Sequence, residues 1–206
     1  MSRPKAADYD SKREMILKRA AELFAEQGYE RASLSALAEA LGISKALVYH
    51  YYNSKEALLF DVIDRHINNL LTAVEEADNP ALPPVKRLER LTLALLMRYK
   101  DADSAHNVQL NDLDILPEEM QRTIRADQRK LVRYFSTVIA LVNPDLDKPS
   151  LTAATMSLFG MLNWHYTWFH DNGSMTREGY AKFATDLFLK GIGVKRAKPA
   201  SVRKSA

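Results

Sequence analysis

The sequence predicts an all-α protein of nine helices. Apolar residues recur at spacings of three and four along nearly the whole chain, strand-type alternation is nowhere sustained, and only seven of 206 residues are glycine. At 47% apolar residues, the composition supports a packed core.

Residues 11–27 form the first predicted helix. Ser11 and Glu14 have capping-box spacing, Gly28 ends the element, and Ile16, Ala20, Leu23 and Phe24 share a face. Two very short helices follow at about 34–40 and 45–51, preceded by Ser33 and Ser44, either of which suits an N-cap. A fourth spans about 54–76, with Leu58, Leu59, Val62, Ile63, His66, Ile67, Leu70 and Val74 at helical spacing. DNPALPP (78–84) is the clearest break. Val85, Leu88, Leu91, Leu95 and Tyr99 mark a fifth helix, and a shorter sixth covers about 104–113. Pro117, Glu118 and Glu119 suit the start of a seventh, running to about Val142. NPDLDKPS breaks the chain again. An apolar eighth helix over 150–171 and a ninth over 176–189 complete the set.

Composition excludes several function classes. Cysteine is absent, so disulfides, thiolate metal sites and cysteine nucleophiles drop out. No apolar run approaches the ~18 residues of a membrane span. The opening MSRPKAADYDSKRE has no apolar signal-peptide core, so a cytoplasmic protein without membrane contact is expected. The net charge of +3 originates in the last 17 residues, which carry six Lys/Arg and no acid; without them 23 basic residues face 26 acidic ones. A case for nucleic-acid binding therefore rests on local residues and not on total charge. No glycine-rich phosphate loop, His-Glu-x-x-His or nucleophile elbow is present, so no enzyme is expected. The histidines are scattered singly; His165, His170 and Asp171 give at most a weak metal signal, and neither metal nor cofactor is expected.

Residues 34–51 read as a helix-turn-helix, two helices of about seven residues joined by LGIS. Leu37, Ala38, Leu41, Ile43 and Val48 are spaced to hold the pair together. In this arrangement the second helix enters the DNA major groove. Its first turn presents Ser44, Lys45, Ala46 and Leu47, while Tyr49 and His50 face the DNA backbone. A tyrosine hydroxyl or an imidazole hydrogen-bonds a phosphate without reading sequence. Lys55 adds a charged contact beside free helix amides.

ILKRAAELFAEQGYERASLSALAEALGISKALVYHYYNSKEALL resembles the DNA-binding domain of the TetR family of transcriptional repressors, most closely over residues 14–60. The resemblance implies a two-domain chain: residues 1–53 as the DNA-binding helix-turn-helix domain, 54–194 for ligand binding and dimerisation, and 195–206 as a basic disordered tail. It implies a homodimer joined through the last two helices, a palindromic operator, and release by a small-molecule effector. Carried over by position, Ser33 and Ser35 contact phosphate, Lys45, Ala46 and Leu47 lie where bases are read, and Tyr49, His50 and Lys55 meet the backbone. Leu47 departs from the small or polar residue common there. It either touches a thymine methyl or packs internally. Tyr52 is expected half-buried against the first helix.

In the C-terminal part, LFGMLNWHYTWFH (158–170) gathers two tryptophans, two phenylalanines and a tyrosine. Gly160, Trp164 and Trp168 at i, i+4 and i+8 form a stripe that reads as dimer core, while Asn163, Tyr166 and Thr167 read as polar anchors of a pocket wall. Arg122, Arg125, Arg129 and Arg133 form a cationic ridge, either a solvated face or a site for an anion. HNVQLNDLDILPEEMQRTIRADQRKLV together with LFGMLNWHYTWF resembles the branch of the family that senses acyl-coenzyme A thioesters, including regulators of phenylacetate, other aromatic-acid and lipid breakdown. That implies an acyl-CoA effector such as a phenylacetyl-CoA-like or fatty acyl-CoA. The candidate effector residues are Tyr99, Asn111, Arg122, Arg125, Arg129, Phe159, Asn163 and Trp164. The alternatives are a helical protein–protein interaction module and a repressor sensing a hydrophobic drug-like effector.

Overall fold

A computed structural model describes residues 3–100 and 102–193. Among these residues the chain forms nine α-helices and no strand: α1 (Arg3–Gln27), α2 (Leu34–Leu41), α3 (Lys45–Tyr51), α4 (Lys55–Ala77), α5 (Pro84–Tyr99), α6 (Asp103–Asp112), α7 (Glu118–Val142), α8 (Lys148–Asn163) and α9 (Arg177–Gly191). Short 3₁₀ turns, Leu113–Ile115 and Trp164–Thr167, follow α6 and α8. The all-α class and the helix number agree with expectation. The basic tail expected at 195–206 lies outside the described residues.

The chain divides into two compact units. The first comprises residues up to Ala77 together with Met97–Arg133; the second comprises Asp78–Leu96 together with the chain from Tyr134. The three cuts fall at the end of α4 and inside α5 and α7, away from the functional boundary expected after residue 53.

In the first unit α1 packs against α2, α4 and α6, and α2 packs against α3. Ile16, Ala20 and Phe24 of α1, Leu37 of α2, Val48 of α3 and Leu58, Leu59 and Ile63 of α4 are buried in one core. At eight and seven residues, α2 and α3 are too short to persist alone. Burial of Leu37 and Val48 supplies what their backbones cannot, on the order of 1.5–3 kcal/mol per fully buried side chain. Gly42 joins them with φ of 64°, the left-handed region where a side chain is strained. The adjacent Ile43 N–H closes the turn on the Ala38 carbonyl at 3.0 Å. In the second unit α8 packs on α9. Its core includes Leu88, Leu91, Phe135, Ile139, Leu158, Phe159 and Phe188, with the Phe135 and Phe159 rings 4.9 Å apart.

Two helix boundaries differ from expectation. The first helix begins at Arg3, so Ser11 lies inside it and caps nothing. The added turns carry an i,i+4 ion pair, Asp8 with Lys12 at 2.8 Å, and a ring contact from Tyr9 to Tyr51. Glu14, expected to complete a capping box, instead pairs with Arg65 of α4. The eighth helix stops at Asn163 and not near 171. The stripe of Gly160, Trp164 and Trp168 is therefore broken: the backbone turns at Trp164, and Trp168 packs edge-on against Tyr180 at 5.1 Å. Arg177 explains the break. Its guanidinium donates to both Asp171 carboxylate oxygens at 2.7 and 3.0 Å, to His165 Nε2 at 3.0 Å and to the Leu96 carbonyl at 3.3 Å. A continuing helix would surrender that set.

Candidate nucleic-acid interface

The cap serines fix where the short helices start. Ser33 Oγ accepts from the Ala36 N–H at 3.0 Å, and Ser44 Oγ accepts from the Leu47 N–H at 3.2 Å. A hydroxyl that accepts through oxygen keeps its hydrogen for a second partner such as a phosphate. Both serines are exposed and Ser35 is half-buried. This register turns Val48 fully inward and leaves Lys45, Ala46, Tyr49 and His50 exposed, with Tyr49 52% accessible. Leu47 is half-buried, between the two roles the sequence left open.

The far end of α3 is held by residues that sequence reasoning passed over. Tyr52, expected half-buried, is fully buried, and its hydroxyl donates to Asp61 Oδ2 at 2.6 Å. Arg13 donates to the same oxygen at 2.5 Å. Burial, and after it Asp61, hold the Tyr52 phenol protonated well above its ordinary range. Arg13 lies three residues before buried Ile16, but Asp61 has no comparable local signal. Lys55 also has an internal role. Its ammonium donates to the carbonyls of Tyr29 at 2.8 Å and Glu30 at 3.2 Å and lies 4.1 Å from the Tyr29 ring centre. It thereby ties the start of α4 to the loop between α1 and α2, and a phosphate there would share it.

The candidate effector residues are not gathered into one site within either unit. In the first, Tyr99 is fully buried against His106, ring centres 4.2 Å apart. Asn111 is exposed and donates to Asn107 at 2.9 Å. Arg122, Arg125 and Arg129 lie on an exposed face; the first two pair with Glu118 at 3.1 Å and Asp114 at 2.6 Å. In the second, Phe159 is buried, Asn163 is half-buried and Trp164 is 65% accessible. A cleft of about 480 Å³ does open in the first unit, lined by α1, α4 and the start of α6, including Glu14, Lys18, Arg65, His66 and Asp103. None of the candidate effector residues lines it.

The histidines do not all stand alone. His66 and His106, forty positions apart, share a hydrogen bond of 3.3 Å inside the first unit. Burial, then the neighbouring imidazole, push His66 down to about 3. His165 donates from Nδ1 to the Leu162 carbonyl at 3.0 Å, which leaves Nε2 to accept from Arg177. Burial and Arg177 push His165 down to about 4. Asp171 and His165, which the sequence offered as metal ligands, are thus both committed to one guanidinium. Among the described residues no group of three or more His, Cys, Asp or Glu side chains is placed to hold a metal ion. No described helix is long and apolar enough to cross a membrane.

Comparison with known proteins gives two family matches. Residues 16–62 match the domain described as bacterial regulatory proteins, tetR family, and residues 81–192, more than half the chain, match the tetracyclin repressor-like C-terminal domain. A TetR-family transcriptional regulator from Bordetella parapertussis 12822 is 34% identical, with a TM-score of 0.82 over 90% of this chain and 98% of that one. AibR, solved in complex with isovaleryl coenzyme A and operator DNA, is 26% identical, with a TM-score of 0.71 over 85% of this chain and 96% of its own. The transcriptional activator FasR of Mycolicibacterium smegmatis is 35% identical over 68 residues, 33% of this chain and 31% of FasR. Across the first curated relatives the chain spans from 31% to 51% of their length. The matched families and relatives are transcriptional regulators, not enzymes.

Proposed function

The chain belongs to the TetR family of bacterial regulatory proteins, and from that premise we propose that it acts as a homodimeric repressor whose two helix-turn-helix units bind a palindromic operator and are released by an acyl-CoA thioester. One observation carries the DNA-binding half: capping by Ser44 and burial of Val48 leave Lys45, Ala46, Tyr49 and His50 together on the open side of α3. Lys45, Ala46 and Leu47 meet base edges; Ser33, Ser35, Ser44, Tyr49, His50 and Lys55 meet phosphates. The proposed partner surface is α8 with α9. Met156, Phe183 and Leu187 there are each more than half exposed, and Met175, Phe183 and Leu187 line an open cleft of about 350 Å³. Burying such side chains is the ordinary reason for self-association.

The acyl-CoA reading is supported by the AibR complex and by the exposed cationic face of α7 formed by Arg122, Arg125 and Arg129, where a phosphate would compete with Glu118 and Asp114 for the first two. Tyr99 and Phe159 are each buried within their own unit, and either would reach an acyl group only after side chains move. The functional division at residue 53 belongs to this same proposal.

The test uses Lys45→Ala with Tyr49→Phe, because replacing Lys55 would also release the loop it holds. Lys45→Ala, which removes a base contact, weakens binding to the operator more than to unrelated DNA, whereas Tyr49→Phe, which removes an uncharged phosphate contact, weakens both alike and leaves the salt slope unchanged. Unchanged binding in a gel-shift titration sinks the assignment. For the effector, a CoA thioester at 100 times its Kd raises stability by roughly 2.7 kcal/mol. Absence of a thermal shift across acyl and aryl thioesters rejects the class.

A further inference from the structure

The stripe of α1 that meets the rest of its unit starts earlier than the hydrophobic core. Tyr9, Lys12, Arg13 and Ile16 recur at three- and four-residue spacing and so share one face. Ile16 is buried and Arg13 reaches Asp61, while Tyr9 reaches α3. The Tyr9 ring stacks on Tyr51 with centres 4.6 Å apart and planes inclined by 30°. It also stands edge-on to His50 at 6.5 Å, and His50 and Tyr51 are edge-on to each other at 5.5 Å. The three rings form one cluster joining the start of α1 to the last turn of α3.

That cluster holds the side of α3 that the core does not. Tyr52 anchors the helix end inward through Asp61, and Tyr51 anchors it to Tyr9. His50 lies in the same turn, is exposed, and touches both rings of the stack. A lone imidazole on a seven-residue helix samples several rotamers; one edged by two aromatic rings samples fewer. Tyr9 itself is 44% accessible, so its ring is not mainly a core residue. Asp8, the adjacent acid, is partnered by Lys12 at 2.8 Å and is not left to oppose an arriving phosphate.

We infer that Tyr9 is a positioning residue of the nucleic-acid interface: it holds His50 in the orientation that donates to a DNA phosphate, which makes the first turns of α1 part of that interface. The inference rests on the DNA-binding reading above. Its test is fluorescence anisotropy with a mixed-sequence DNA duplex at two salt concentrations. Tyr9→Ala binds roughly twofold to tenfold more weakly, the scale of one aromatic pair, while Tyr9→Phe, which keeps the ring, binds as the wild type. In a His50→Ala background, Tyr9→Ala produces little further loss, because the group it positions is gone. Tyr9→Leu keeps apolar bulk without the aromatic edge and replaces Tyr9→Ala should that variant fail to fold. Wild-type affinity in the variant lacking the ring, or an equal loss with and without His50, overturns the positioning role. A wild type without salt-dependent binding overturns the DNA-binding reading first, so the two failures are distinguishable.

Discussion

Two aromatic stretches of similar composition meet opposite fates. Residues 48–52, VYHYY, close the short helix α3, and residues 164–170, WHYTWFH, follow α8. In the first, the histidine is outside and exposed while Tyr52 is drawn in by a carboxylate. In the second, His165 is buried, together with Phe169, and Trp164 and Trp168 are 65% and 50% accessible. Composition does not separate the two; hydrogen-bond partners do. Asp61 captures a phenol, and Arg177 captures an imidazole. A surface rich in rings is thus assembled twice, once on a capped helix and once on a loop held by a buried cation.

The contrast breaks most severely at Arg177. Arg177→Ala leaves His165 Nε2 and the Leu96 carbonyl buried without this donor and lowers the unfolding free energy by about 3 kcal/mol, measured by urea denaturation. A loss below about 1 kcal/mol would mean that the loop is held by ring packing alone.

Acid tests the same joint. The folded His165 value of about 4 lies below its ordinary 6.5. The unfolded chain therefore takes up the proton first, and stability that is complete above about 6.5 is lost as pH falls towards 4. The loss approaches about 3 kcal/mol. His165→Gln, whose Oε1 can accept from Arg177, flattens this slope. A remainder persists from His66, displaced in the same direction. Identical acid profiles for wild type and variant would remove His165 from the account.

On the other side of the comparison, Ser44→Ala removes the α3 cap and costs about 1 kcal/mol. Amide exchange is expected to accelerate in α3 with α8 and α9 unchanged. Equal acceleration everywhere would mean that capping is not local. The smallest effect is spectroscopic. The chain has two tryptophans, both in the second stretch, so intrinsic emission reports that loop alone. Where the proposed homodimer covers Trp164, dilution to the monomer shifts emission to the red. A constant emission maximum across a dissociation seen by sedimentation places Trp164 outside the interface.

The α2–α3 pair and most helix limits were legible because they are written locally, in caps such as Ser33 and Ser44 and in apolar periodicity. The early start of α1 and the early end of α8 were not, since both depend on distant partners: Tyr9 on Tyr51, and His165 on Arg177. The His66–His106 pair was hidden for the same reason. The exposed side of α3, apart from the half-buried Leu47, could be named residue by residue, because a capped seven-residue helix leaves little choice of register. The internal attachment of Lys55 could not, because a lysine's reach permits many partners. The arginines of α7 were visible as a ridge, but spacing alone could not reveal that Glu118 and Asp114 already answer two of them.

Asp61 Oδ2 accepts from Arg13 of α1 and from Tyr52 at the end of α3 while belonging to α4. One oxygen atom therefore binds three helices to a common fate. When α3 frays from its C-terminal end, the buried Tyr52 hydroxyl leaves an oxygen that Arg13 then holds alone, so opening of α3 weakens the tie between α1 and α4. A helix too short to persist alone thereby borrows stability from the two longer helices that share its anchoring oxygen.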